Sequence, residues 1–70
     1  MKELIKWQKI GRYIIRWVAI GNDNWVTIAE QRDKVFCIIS RRAYIRRADA
    51  RHRYYYLIAE YTRRAREAKA

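Results

Sequence analysis

The chain has no proline, two glycines, one cysteine and one histidine in 70 residues, and serine occurs only at Ser40. Cys37 alone cannot form an intrachain disulfide, and one thiol with one imidazole (His52) matches no zinc-site spacing, so neither a metal nor a cofactor is expected. Glycines ten positions apart, at 11 and 21, make no phosphate-cradling loop. One Ser, one Cys, one His and three Asp are too thin an inventory for an activated nucleophile with its base and orienting acid. No catalytic residue is assigned, and a non-enzyme is expected. No stretch nears the roughly 18 apolar residues of a membrane span, and no charged-then-apolar start ends in a cleavage site. A cytoplasmic location is the expectation.

Acids are also scarce. Seven Asp+Glu face seventeen Lys+Arg, a net charge of +10, yet 51% of the residues are hydrophobic. That composition is too apolar for a disordered tail and too charged for a bilayer span, and 70 residues give one small domain at most. Arginine dominates the bases, and its planar fork matches phosphate in a bidentate way. The densest run is Arg41, Arg42, Arg46, Arg47, Arg51 and Arg53, relieved only by Asp49. Such a surface attracts polyanions over a Debye length of about 8 Å at physiological salt.

Stepping about 100° per residue, Leu4, Trp7, Ile10, Ile14, Ile15, Trp17 and Val18 fall on one face, with Lys2, Lys6, Lys9, Arg12 and Arg16 opposite. This spacing predicts a helix over 2–20, with Gly11 on its apolar face, a turn at 21–24, and a helix over 25–47. A further helix over 50–69, joined near Asp49 or continuous with the one before it, carries Ala50, Tyr54, Leu57, Ile58, Tyr61 and Ala65 on one side. The fold expected is an all-α small helical bundle. A β-meander over 12–20, 25–31 and 35–39, with 41–69 as a helix on the sheet, competes with it, because these stretches are rich in β-branched and aromatic residues. The turn Arg32-Asp33-Lys34 has no Gly or Asn to supply positive φ, and the lysine spacing is helical, which favours the bundle.

A second stripe of Ile38, Ile45, His52 and Ala59 repeats every seven residues, flanked by Tyr55 and Tyr56. On a helix it implies cover from a second copy, hence a homodimer. The arginines Arg42, Arg46, Arg53 and Arg64 share a helical flank if the helix runs through Asp49. The function expected is nucleic-acid binding, DNA or RNA, chiefly through phosphate contacts from Arg41, Arg42, Arg46, Arg47, Arg51, Arg53 and Arg64. Thr62-Arg63-Arg64-Ala65-Arg66 resembles the short arginine-rich helices with which phage and viral proteins grip RNA hairpins, and no residue role is carried over from those five residues. Competing readings are a module docked on an acidic protein, a designed helical oligomer without natural target, and a membrane-surface helix over 2–20, which carries two Trp among lysines.

Overall fold

Three two-residue turns organise the chain up to Tyr44: Gly11-Arg12, Gly21-Asn22 and Asp33-Lys34. Each starts on a residue with positive φ, 59° at Gly11, 60° at Gly21 and 55° at Asp33. Positive φ at the first of two central residues suits the right-handed twist of the strands a tight hairpin joins. The structure, a computed structural model, describes residues 1–69. Its strands are β1 (Lys2–Ile10), β2 (Tyr13–Ile20), β3 (Asp23–Arg32) and β4 (Val35–Tyr44), paired antiparallel in the order β1-β2-β3-β4. One helix, α1 (Arg47–Lys69), follows after a short bend.

The all-α bundle is therefore corrected. The helices expected over 2–20 and 25–47 are strands, the turn contracts to Gly21-Asn22, and α1 begins at Arg47 with no helix leading into it from 25. Two local facts decide against the helix. Gly11 inside it would cost about 1 kcal/mol relative to Ala, and the run Tyr13-Ile14-Ile15-Arg16-Trp17-Val18 is β-branched or aromatic at five of six positions, which crowds a helix and suits a pleat. Asp33 supplies the left-handed turn residue that Gly or Asn would otherwise provide, because Asp tolerates that region better than most side chains. The helical spacing of Lys2, Lys6 and Lys9 does not put them on one side, because a β-bulge between Leu4 and Lys6 leaves Lys6 on the opposite face of β1 from the other two.

Alternation divides the sheet into two faces. Ile10, Ile15, Trp17, Val26 and Ile28 face α1 and pack on Ala50, Tyr54 and Leu57, all buried. Ile5, Tyr13, Tyr44, Ile58, Tyr61 and Ala65 close the margins of this core. The Tyr61 ring meets Tyr13 edge-on at 4.9 Å. Between Arg47 and Lys69 there is no Gly or Pro, and the inward side chains recur at helical spacing. Asp49 lies in the first turn, where the helix dipole favours a carboxylate. On the exposed side, Arg63 reaches Glu67 at 2.7 Å and Arg64 reaches Glu60 at 3.2 Å. The helix covers one side of the sheet. Among the described residues no element covers the other.

Candidate nucleic-acid interface

The uncovered face follows from the register. Three rows of side chains cross the four strands: Leu4–Val18–Trp25–Ala43, Trp7–Arg16–Thr27–Arg41 and Lys9–Ile14–Ala29–Ile38. A solvated sheet face normally reads polar. This one does not: Trp7 is 58% exposed, Leu4 50% and Phe36 45%, with Trp25 half-buried among them. Cations interrupt the apolar surface. The Arg41 guanidinium carbon lies over the Trp25 ring, 5.3 Å from its centre, a cation–π contact.

Between β2, β3 and β4 this face sinks into an open depression of about 420 Å³, lined by Lys2, Arg16, Trp25, Thr27 and Arg41, with Asp23 at its end. Arg16 Nε and Thr27 Oγ1, on two of its lining residues, are buried without a hydrogen-bond partner in the protein. Buried polar groups are nearly always bonded, to protein, water or ligand, so this pair calls for a partner from outside the chain.

The arginines expected to form one helical flank are dispersed. Arg41 is on the open face of β4, whereas Arg42 is on the opposite face, over Tyr44 at 5.6 Å. Arg46 is in the bend, exposed. Arg47 and Arg51, on the first turns of α1, share a groove with Lys6 of β1 and with Tyr55. Arg53 stacks on Tyr56 at 5.4 Å, one turn along the helix. Arg64 lies over Tyr61 at 4.9 Å and against Glu60. Among the described residues, only Arg64 of the seven is tied to a carboxylate. The flank of Arg42, Arg46, Arg53 and Arg64 needed one helix through all four positions, and strand β4 ends that geometry.

The same holds for the heptad stripe. Ile38 belongs to the open face of β4, Ile45 is in the bend and 85% exposed, and His52, Tyr55, Tyr56 and Ala59 lie on the outer side of α1. These six residues do not share a face, because no helix runs continuously from β4 into α1, and they form no single stripe for a second copy to cover. Residues of the open face that helical reasoning placed elsewhere are Trp7, treated as core, and Lys2, Lys9 and Arg16, treated as the solvent side of a helix. Period-two counting from the Gly11 turn assigns Trp7, Lys9 and Arg16, whereas Lys2 lies beyond the bulge between Leu4 and Lys6, which reverses the count.

Electrostatics on the helix side are local. The Tyr55 hydroxyl raises the Lys6 ammonium above its ordinary value. Arg32, 2.8 Å from Glu30, lowers the Glu30 carboxyl, and Glu30 in turn raises the Tyr13 phenol. Among the described residues no three of His, Cys, Asp and Glu gather as metal ligands would, and no helix is long and apolar enough to cross a membrane. Comparison of the chain with protein families, with curated proteins and with solved structures finds no match.

Proposed function

We propose that the protein binds single-stranded nucleic acid across the open face of its sheet. The row Trp7–Arg16–Thr27–Arg41 carries the reading, because it sets an exposed indole, two guanidiniums and a hydroxyl side by side over all four strands. Bases freed from a duplex stack on aromatic side chains, each worth about 1–3 kcal/mol, while cations between the rings take the phosphates. A flat sheet face with exposed rings offers nothing to bases already stacked in a duplex. Lys2, Lys9, Arg16 and Arg41 stand on this face against Asp23, so a polyanion complements it and an identical copy laid face to face would oppose like charges. The helix-side bases Arg46, Arg47 and Arg51 add to the long-range attraction.

Titrating the protein with a fluorescently labelled oligothymidylate, and separately with a hairpin duplex, tests this. Single-strand binding is expected to weaken with log salt at a slope of about −2 to −3, since three or four phosphates would each contribute about −0.7. Trp7→Ala should weaken it by about tenfold. Preference for the duplex, or an unchanged affinity in Trp7→Ala, sinks the reading.

Self-association through β4 is a second reading, favoured by one observation. On this edge strand Val35, Phe36, Ile38 and Ile39 are 43–60% exposed, whereas the opposite edge, β1, is guarded by three lysines and a bulge. Two copies pairing their β4 strands would make a homodimer with a continuous sheet. Ile39→Lys should then shift a dimer to monomer mass in sedimentation, and a monomeric parent protein dismisses it.

A further inference from the structure

We infer that Arg16, Thr27 and Arg41 form a discrete site for one phosphate group; the source of that phosphate in a nucleic-acid strand rests on the function proposed above, the chemistry of the site does not. The three residues are directly paired across β2, β3 and β4, with Thr27 in the middle. Thr27 is 7% exposed and its hydroxyl has no partner, and the neighbouring Arg16 Nε has none either. An Nε–H can only donate, so it needs an acceptor, and a hydroxyl beside it can donate to the same atom. Cationic groups on both sides call for a negatively charged acceptor rather than water. Arg41, its guanidinium carbon 5.3 Å from the Trp25 ring centre, has no carboxylate partner among the described residues and pairs directly with Thr27 across β3 and β4.

A carboxylate is planar and engages one fork, while a tetrahedral phosphate presents oxygens to donors on three strands at once. Lys2 lines the same depression and adds a third cation against the single carboxylate of Asp23. Trp25 forms the adjacent wall, in position to meet the sugar or base that the phosphate brings with it. The phosphate can belong to the backbone of a strand or to its terminus.

The test uses the isotope-labelled protein and follows Arg Nε–H and Trp indole signals by NMR. Inorganic phosphate, 5′-hydroxyl oligothymidylate and 5′-phosphoryl oligothymidylate are titrated at constant ionic strength against chloride. Arg16 Nε–H and the Trp25 indole should shift saturably with all three, while buried Trp17 stays fixed. Thr27→Val should weaken each by at least fivefold without lowering the melting temperature, and Thr27→Ser, which keeps the hydroxyl, should bind as the parent does. Tighter binding of the 5′-phosphoryl strand identifies a terminal phosphate, and equal binding a backbone one. An unmoved Arg16 signal, an equal response to chloride, or a Thr27→Val variant that binds like the parent overturns the site. If the oligonucleotides still move Trp7 in that case, single-strand binding survives without it. Saturation by inorganic phosphate with no response to either oligonucleotide leaves the phosphate site and removes the function proposed above.

Discussion

The Trp17 indole donates its N–H to the Asn24 side-chain oxygen at 3.3 Å, and both side chains are buried beneath α1. Trp17 and Asn24 are diagonal neighbours on β2 and β3, on the face that Tyr54 covers. The bond supplies the partner that an indole N–H requires in a core.

Replacing Asn24 with Ala leaves that N–H without an acceptor and should cost about 1–3 kcal/mol. In a domain of this size each kcal/mol is worth about 4–8 °C in melting temperature, so thermal unfolding followed by circular dichroism reads the loss directly. A melt within 2 °C of the parent's would show that water replaces the bond at no cost.

Leu57 is 5% exposed and anchors the middle of α1 on the sheet. Leu57→Ala is expected to destabilise by about 2–5 kcal/mol, a large share of the stability of a 70-residue chain. Far-ultraviolet ellipticity at 222 nm should fall before the strand signal does, since helix docking is what the substitution weakens. Chemical denaturation that leaves the midpoint unchanged would contradict this packing.

Asp33 occupies a left-handed conformation that glycine adopts freely. Asp33→Gly should therefore be neutral or stabilising by up to about 1 kcal/mol, against the usual direction for a glycine substitution. Gly11→Ala and Gly21→Ala should each lose about 1 kcal/mol, from backbone strain alone, because an added Cβ would meet no atom within 4 Å at either position. Urea midpoints of the three variants would separate the two signs.

The Glu60 carboxyl is lowered below its ordinary value of 4.5, first by Arg63 and then by Arg64. A group lowered in the folded state contributes its stability above the ordinary value and loses it as pH falls through the lowered one. Melting temperature should thus decline below pH 4.5, and Glu60→Gln should flatten that decline. At the other end, burial raises Tyr54 above its ordinary value of 10.0, so stability should fall again as pH climbs past that value and the unfolded chain ionises first. Equal acid arms in parent and Glu60→Gln would assign the decline to other carboxylates.

The inward side of α1 is legible from spacing alone, because Ala50, Tyr54, Leu57, Ile58, Tyr61 and Ala65 follow a period of 3.6. Residues 2–20 are not. Leu4, Trp7, Ile14 and Val18 lie on one face of the sheet and Ile10, Ile15 and Trp17 on the other, yet all seven fall on one side of a helical wheel. A sheet that is apolar on both faces produces no hydrophobic alternation, and the bulge near Ile5 erases the rest. The informative signal was turn spacing. Gly11, Gly21 and Asp33 recur every ten to twelve residues, which suits hairpins, but Asp33 as the third member is visible only once its backbone is known. The basic composition is legible in the sequence; which arginines share a face depends on the strand register.

Every strand in this sheet is bonded to its neighbour in sequence through a two-residue connection. Ring closures that short carry little entropic cost, so the hairpins should zip up in the order they leave the ribosome, on the fast side of what β-rich chains achieve. The greasy underside of the finished meander then stays bare until Tyr54 and Leu57 have been synthesised. A nascent chain stopped ahead of Tyr54 should cling to chaperones, and one released past Ala65 should not.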